Sequence, residues 1–287
     1  YPNETKDNYC IIDSSTLKKI SDLELVFSID KISWNILKQI HSFNTIKDIN
    51  YIKNFRGELD LSQESDYYYS DSKGEFKLVR GNCISEYHID ESNISECVKY
   101  KEFIKAKGQS TKLKYIDKER IACQQIVNLN KNKRLTFCYV KPNYILANSC
   151  NFISLEKNSP DFISYYSLLG LFNSSLINWR FKITSTNNHV NNYEIDDLPI
   201  PVEKSKKSIY KKISSLVKQL YNNNVEYFHE KIDALVFRLY NLNTKQVITV
   251  LKNEEKNIEY IKRVLYFLNY KNRIVSDCIN DFKKNIV

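Results

Sequence analysis

The chain has 287 residues, enough for one large domain or two modest ones, and its 42% hydrophobic content excludes a wholly disordered protein. No apolar run approaches the roughly 20 residues that a membrane-spanning helix needs, so the sequence predicts no membrane span. The net charge of +9 fits either a polyanionic partner or a solvated helical surface, and its size alone does not decide between them.

In chain order, the first part of the sequence mixes helical and strand-like patterns. Apolar residues at Trp34, Leu37 and Ile40 predict a short helix, and residues 162–182 predict a longer one with a continuous apolar stripe. We therefore predict an α+β domain over residues 1–202, with a mixed or antiparallel sheet and flanking helices. Runs rich in β-branched and aromatic residues predict its strands at 76–79, 121–127, 135–140 and 144–153.

The pattern changes near Pro199 and Pro201, because two prolines at this spacing interrupt both helix and strand. Beyond them the apolar spacing is helical, and Asn243 or Thr244 can cap the third helix. We predict an all-helical C-terminal module over residues 203–287. Its five apolar stripes run from Ile209 to Leu220, Val225 to Leu239, Val247 to Leu251, Ile258 to Leu268 and Ile274 to Phe282.

The positive charge is concentrated in this predicted helical module. Residues 203–287 carry 17 Lys and Arg against 9 Asp and Glu, whereas residues 1–202 carry 26 against 25. An excess of this kind favours a polyanion such as DNA. It suggests the hypothesis that the nearly neutral first part reads bases while the basic module holds the phosphate backbone.

Several kinds of enzymatic site are excluded by the motifs. The chain has no Asn-Pro-Pro-Tyr or Asp-Pro-Pro-Tyr turn, no His-Glu-x-x-His, and only five glycines, too few for a cofactor loop or a P-loop. Asp60, Glu64 and Asp66 lie close together but lack a following Glu-x-Lys strand, so we interpret them as a solvated loop rather than a nuclease site. We expect neither catalytic residues nor a metal site in this chain.

The seven cysteines are scattered and include no Cys-x-x-Cys pair, which argues against zinc and redox sites. Several lie inside apolar runs, where a small buried hydrophobic side chain is the simplest interpretation. Together with a start that does not resemble a secretory leader, they lead us to expect a reducing, cytoplasmic setting.

The segment richest in binding chemistry is residues 184–193, in which almost every side chain is a hydrogen-bond donor or acceptor. Asn can pair with the N6/N7 edge of adenine, and Ser, Thr and His can reach bases or phosphates. We therefore predict DNA contacts from Asn187, Asn188, His189 and Asn191. An Asn-rich turn that satisfies its own backbone is the alternative.

Two Arg-Gly pairs form the next group, Arg56-Gly57 and Arg80-Gly81, the latter followed by Asn82. Glycine allows a tight chain reversal, and the preceding Arg can then project from a strand end onto a phosphate or a guanine. We predict that Arg56, Arg80 and Asn82 contact DNA, with a surface ion pair as the alternative for either Arg.

The last group is the strand that ends in Gln124 and Gln125, followed by a basic turn. Adjacent residues of a strand point to opposite faces, so one amide can be buried while the other faces outward. We predict both as candidate base contacts, and we predict Lys133 and Arg134, together with Lys131, as a phosphate clamp.

In this order, these motifs resemble the C-terminal half of type II and type IIS-associated adenine-N6 DNA methyltransferases, which carries a TaqI-like specificity domain. The resemblance spans about residues 30–201 and extends more weakly into residues 232–242. The motifs that carry it are Arg-Gly-Glu-Leu-Asp-Leu at 56–61, Arg-Gly-Asn-Cys-Ile-Ser-Glu-Tyr at 80–87, Arg-Ile-Ala-Cys-Gln-Gln-Ile at 120–126, Leu-Ala-Asn-Ser-Cys-Asn at 146–151, Leu-Leu-Gly-Leu-Phe-Asn-Ser-Ser-Leu-Ile-Asn-Trp-Arg-Phe at 168–181, and Asn-Asn-His-Val-Asn-Asn-Tyr-Glu-Ile-Asp-Asp-Leu-Pro-Ile-Pro at 187–201.

The resemblance implies that double-stranded DNA is the partner and that a catalytic domain, which binds S-adenosylmethionine, precedes Tyr1. Because the chain begins at Tyr1 and has no Met, we expect it to be part of a longer protein. The target adenine would be flipped into that domain, and a cognate restriction endonuclease is a further candidate partner. A stand-alone DNA specificity subunit, and a protein-interaction module with a basic tail, remain as alternatives.

Overall fold

A computed structural model of the chain describes residues 14–21, 30–71, 73–108 and 110–268. Within these ranges eight strands form two sheets of four strands each. The strands are β1 Ile52–Arg56, β2 Tyr68–Ser70, β3 Lys77–Val79, β4 Glu96–Val98, β5 Arg120–Gln124, β6 Phe137–Val140, β7 Tyr144–Leu146 and β8 Cys150–Leu155.

Ten α-helices occur in the same ranges, and the last seven of them follow the sheets without a further strand. Short 3-10 turns link several of the elements. The helices are α1 Ser14–Ser21, α2 Lys31–Ile40, α3 Tyr100–Lys107, α4 Tyr165–Phe172, α5 Ser175–Thr184, α6 Asn192–Asp196, α7 Lys207–Leu220, α8 Phe228–Leu239, α9 Thr244–Asn253 and α10 Ile258–Phe267.

The two sheets meet at a turn formed by residues 147–149. The first sheet has the order β1-β8-β5-β6 and is antiparallel throughout, whereas the second has the order β2-β4-β3-β7 with β3 and β7 parallel. Because β1 and β5 both run antiparallel to β8, their carboxyl ends lie beside the start of β8. The carboxyl ends of β3 and β7 reach the same turn from the second sheet. Five strand ends therefore converge on residues 147–149.

The helices cover the first sheet in layers. Helix α4 lies against β5 and β6, and α7 packs on the outer side of α4 and contacts α8. One apolar cluster runs without interruption from Trp34 of α2 through the first sheet to Leu265 of α10. The sheets and the C-terminal helices thus share a core, and the predicted boundary between residues 202 and 203 stays a prediction.

The α+β class and the helical C-terminal region are confirmed. The predicted helix around Trp34 is α2, whose first turn is capped by the Asp30 carboxylate. The predicted stripes beyond Pro201 correspond to α7 to α10, and Asn243 caps α9 by accepting a hydrogen bond from the Gln246 amide at 3.1 Å. The fifth predicted stripe, from Ile274 to Phe282, lies outside the described residues.

Two predicted elements are each split in the structure. The run at 144–153 is two strands, β7 and β8, since the chain turns at residues 147–149. The helix predicted at 162–182 is broken between α4 and α5, because the Asn173 carboxamide bonds to both backbone groups of Phe137 at 2.9 Å and Ser174 caps α5.

Six elements have no counterpart among the predictions: α1, α3, α6, β1, β2 and β4. Strands β2 and β4 have only three residues each, and β1 is half-exposed, so none shows a clear apolar alternation. The five cysteines in the described ranges are buried free thiols, as the sequence predicts. No helix there combines the length and apolar character needed to cross a bilayer.

Candidate nucleic-acid interface

The turn at residues 147–149, here called the strand-end turn, is the centre of the candidate site. Its backbone groups are bonded to chain segments from both sheets, which fixes these segments relative to one another. The bonds run from Ala147 N to Val79 O (2.9 Å), from Asn148 N to Leu59 O (2.7 Å) and from Gln125 N to Ser149 O (2.9 Å). A fourth bond, from Gly57 N to the carbonyl of Cys150 (2.9 Å), joins the residue that follows the turn.

The glycines of both Arg-Gly pairs press against this turn. A Cβ atom on Gly57 would lie 2.0 Å from the Ala147 carbonyl oxygen, and one on Gly81 would lie 2.9 Å from the Ser149 carbonyl oxygen. Any larger residue would push the strand ends away from the turn. The predicted tight reversal is therefore a close approach of two backbones, and it brings the segments around Arg56 and Arg80 to the strand-end turn.

Arg56 is exposed and oriented by neighbours from two strand ends. Its Nε donates to the Asn148 carbonyl oxygen at 2.8 Å, and its Nη2 donates to Oε1 of Gln125 at 3.2 Å. Both acceptors are neutral, so the bonds fix the guanidinium plane without cancelling its charge. A planar cation held in this way suits bidentate contact with a phosphate or a guanine edge.

Arg80 is engaged within the protein. Its guanidinium forms a two-pronged ion pair with the Glu96 carboxylate at 2.6 and 2.8 Å and lies 5.5 Å from the centre of the Tyr68 ring. The bonds to Glu96 raise the pKa of Arg80. Asn82, two residues further on, is exposed. It lies at the rim of the site because the N–H of its neighbour Gly81 bonds to the Ser149 hydroxyl at 3.0 Å.

A short antiparallel pairing of residues 125–127 with residues 188–190, here called the outer ribbon, forms the edge of the site. Its bonds run from Val127 N to Asn188 O at 2.8 Å and from Val190 N to Gln125 O at 2.7 Å. Ile126 and His189 lie directly opposite each other between these bonds. Side chains of such a non-hydrogen-bonded pair project on the same face and lie close together. Both are exposed.

The inner face of the outer ribbon is anchored from below. Val127 and Val190 are buried, and the Asn151 carboxamide donates to the Val190 carbonyl at 2.5 Å. Arg134, only 2% exposed, donates to the Asn187 carbonyl at 2.7 Å. Arg134 therefore supports the polar segment from beneath and does not face solvent, and burial lowers its pKa.

The polar residues of the loop divide into exposed and structural ones. Asn187 Oδ1 accepts from His189 N at 2.7 Å, and Asn188 Oδ1 accepts from Leu129 N at 2.9 Å. Both side chains are exposed, so their NH₂ donors are the groups that can reach a base acceptor. Each Oδ1 keeps a second lone pair, so pairing with an adenine edge is compatible with these loop bonds. Asn191 instead bonds to Glu194 in the capping box of α6.

The remaining predicted residues, Gln124 and Lys133, are held by neighbours in the sheet region. Gln124 Nε2 donates to the Ile84 carbonyl at 3.2 Å, whereas the Gln125 side chain contacts Arg56. Lys133 pairs with Glu86 and donates to the Asn173 carbonyl at 3.0 Å. Of the predicted phosphate clamp, only Lys131 is exposed.

The structure thus gathers six of the predicted residues at one end of the sheets and gives the others internal partners. The six gathered residues are Arg56, Asn82, Gln125, Asn187, Asn188 and His189. The others are Arg80, Gln124, Lys133, Arg134 and Asn191.

Sequence reasoning missed three residues of this end. Lys112 Nζ donates to the Gly57 carbonyl at 2.9 Å, and burial lowers the pKa of Lys112. Asn148 supplies the carbonyl that orients Arg56. Ile126 is 60% exposed although it continues an apolar strand, and the strand alternation with Val127 inward was the signal that could have located it.

A buried ion pair lies beneath the strand-end turn. Glu58 and Arg120 contact each other with both side chains fully buried. Glu58 also accepts from Leu146 N at 2.7 Å, and Arg120 donates to the Tyr144 carbonyl at 2.5 Å. Burial raises the pKa of Glu58, and the Arg120 charge opposes that effect. The pair joins β5 and β7 to the segment that follows β1.

The acidic group at Asp60, Glu64 and Asp66 is a structured loop. Asp60 Oδ1 accepts from the Ser62 hydroxyl and amide, which lowers the pKa of Asp60. Glu64 accepts from the Asp60 backbone N–H at 2.6 Å and pairs with Lys107. In the part of the chain that is described, no group of three or more His, Cys, Asp and Glu side chains is arranged to hold a metal ion.

Residues 76–200 match the family model of the TaqI-like C-terminal specificity domain. The matched residues include the strand-end turn and both strands of the outer ribbon, whereas Arg56 precedes them. No curated protein gives a significant match to the chain.

One solved structure with similarity to the chain is that of MmeI, a type IIL restriction–modification enzyme, in complex with DNA. The TM-score is 0.35 at 10% identity, over 81% of this chain and 36% of that chain. The chain therefore spans about a third of that enzyme's length.

Proposed function

We propose that the chain recognises a short sequence in double-stranded DNA, as the specificity part of an adenine-N6 DNA methyltransferase of a type II restriction–modification system. The observation that carries the proposal is the match to a specificity domain, which includes the outer ribbon and the strand-end turn. The exposed polar side chains that the sequence singles out are gathered at the same place.

The shape of the outer ribbon suits a DNA groove. The major groove of B-DNA admits a two-stranded β-ribbon, and base edges there differ in their donors, acceptors and methyl groups. The outer face of the ribbon presents Ile126 and His189, and Asn188, which precedes His189 in the strand, is also exposed. Arg56, oriented by Asn148 and Gln125, adds a positive charge next to the ribbon.

The C-terminal helices are adjacent to this end of the molecule. Asn132, in the loop that leaves the outer ribbon, donates to Glu255 at 2.5 Å in the turn between α9 and α10. Lys131 is exposed in the same loop and favours a backbone contact that adds affinity without reading sequence. Lys211 and Lys212 are exposed on α7, where Lys207 pairs with Asp161 beyond the carboxyl end of β8.

We propose that methyl transfer belongs to a separate domain. Gly57 and Gly81 are packed against the strand-end turn and so do not form a cofactor loop. We therefore propose that the cofactor and the flipped adenine bind in a catalytic domain joined to this chain, with a restriction endonuclease as the functional counterpart.

The DNA part of the proposal is tested with the full chain by fluorescence anisotropy on duplexes selected from a random library. We expect a preferred sequence, and an association constant whose logarithm falls linearly with the logarithm of the salt concentration. Arg56→Ala should weaken this binding. Absence of duplex binding at low salt would contradict the proposal.

The adenine-N6 part needs a separate measurement. Sequencing that detects modified bases in the host genome should find N6-methyladenine within the sequence that the chain selects in vitro. Methylcytosine at that sequence, or no modification there, would contradict the assignment to adenine while leaving DNA recognition intact.

A further inference from the structure

We propose that Ile126 is a specificity-determining residue that reads the 5-methyl group of a thymine in the major groove. This inference rests on the proposed function and deepens it, since it names one base and one atom that the outer ribbon recognises.

The exposure of Ile126 is unusual for this molecule. Among the large aliphatic side chains in the described ranges, only Ile126 and Leu129 are exposed, at 60% and 44%. Every other exposed large hydrophobic residue there is a tyrosine, whose hydroxyl can be hydrated. Both exposed aliphatic residues thus lie on or directly beside the outer ribbon.

The direction of Ile126 is fixed by backbone geometry. The flanking bonds of Val127 and Gln125 to the opposite strand hold Ile126 in a non-hydrogen-bonded pair with His189. Val127 next to it is buried, so the alternation along the strand directs Ile126 outward. The side chain therefore projects from the face that we propose enters the groove.

The outward face around Ile126 is polar apart from Ile126 itself. His189 lies opposite Ile126 on that face, whereas Gln125 and Asn188, which come next along the two strands, direct their side chains away from it to Arg56 and to Leu129 N. Two aliphatic side chains are too small a patch for a stable protein interface, which buries about 800 Å² on each partner. In the major groove the thymine 5-methyl is the one apolar group on a base edge.

The methyl contact would distinguish thymine from cytosine at one position. Burial of one methyl-sized group corresponds to about fourfold in binding. The polar neighbours would fix the register of the ribbon on the duplex, and Ile126 would then favour the base pair that places a methyl group against it.

The test uses the full chain and the duplex that it selects from a random library. Each thymine is replaced in turn by deoxyuridine, which lacks only the 5-methyl group. We expect one replacement to weaken binding of the unmodified chain by about fourfold. Ile126→Ala should bind the thymine duplex more weakly and should lose its sensitivity to that replacement, and Ile126→Val should retain part of it.

The control is Tyr266→Ala, which removes another exposed hydrophobic side chain, 70% exposed on α10. It should bind like the unmodified chain and keep the same sensitivity to deoxyuridine. Melting curves of both variants should match that of the unmodified chain, since these side chains contribute little to the core.

Three outcomes would overturn the inference and leave the proposed function standing. They are a selected sequence without an A·T pair, a scan in which no deoxyuridine weakens binding, and an Ile126→Ala variant that keeps the full sensitivity. Failure to bind any duplex would instead contradict the proposed function itself, and the inference with it.

Discussion

The two layers at the converging strand ends use similar residue types for different purposes. The lower layer holds Arg120 and Arg134, both buried and bonded to backbone carbonyls of the protein. The upper layer holds Arg56 and His189, both exposed. A buried Arg that donates to protein carbonyls orders the surface from beneath, whereas an exposed Arg with only neutral acceptors can also serve a ligand. Substitutions in the two layers should therefore separate stability from DNA binding.

The largest effect is expected in the lower layer, for Glu58→Leu. This change leaves the Arg120 charge without its partner in a fully buried position. The free energy of unfolding should fall by about 3–5 kcal/mol, as measured by urea denaturation. The double variant Glu58→Leu/Arg120→Met is the control and should recover much of that loss. Equal destabilisation of the single and double variants would show that the charge is not the cause.

A direct comparison of the layers is given by Arg134→Met and Arg56→Met. Arg134→Met leaves the Asn187 carbonyl without its charged donor and should lower the free energy of unfolding by about 1.5–3 kcal/mol. Arg56→Met should change stability by no more than about 0.5 kcal/mol, because Arg56 is exposed.

Substitutions of Arg56 should weaken DNA binding although they change stability little. Arg56→Lys keeps the charge but loses the fork that bonds to Asn148 and Gln125, so it should restore only part of the binding that Arg56→Met removes. Full restoration by Lys would mean that Arg56 acts as a point charge on the phosphate backbone.

Within the upper layer, His189→Ala should relax sequence preference without loss of fold. His189 lies opposite Ile126, so loss of one base contact should reduce discrimination at one position by about 1–3 kcal/mol. His88→Ala is a matched control, since His88 is also exposed but belongs to another segment. An unchanged preference in a library selection with His189→Ala would remove His189 from the interface.

Part of this site follows from local sequence and part does not. The Arg-Gly pairs, the alternation around Gln124 and Gln125, and the amphipathic stripe of α7 are local patterns, so they could be predicted. The partner of Arg134 is Asn187, 53 residues further along the chain, and no local pattern reveals that bond. For the same reason Arg80 and Arg56 look equivalent in sequence, although only Arg80 has a carboxylate partner here.

Local patterns also fail where a turn is hidden by apolar neighbours. Residues 144–153 are rich in apolar residues at both ends, and the strand-end turn between β7 and β8 is stabilised by bonds to Val79, Leu59 and Gln125 from elsewhere in the chain. These distant bonds create the point at which the strand ends converge. The location of the site is therefore a tertiary property.

The smallest expected effect concerns the lysines, and it tests whether the helical module shares in DNA binding. Lys131→Ala, beside the outer ribbon, should weaken binding to all duplexes alike and reduce the slope of log K against log salt by about 0.9. Lys211→Ala, on the exposed side of α7, should act in the same way if the basic module holds the backbone. Because neither change affects a base contact, the selected sequence should stay the same. If Lys131→Ala lowers the slope and Lys211→Ala does not, the phosphate contacts are confined to the loop of the ribbon, and the hypothesis that the basic module holds the backbone is wrong for α7.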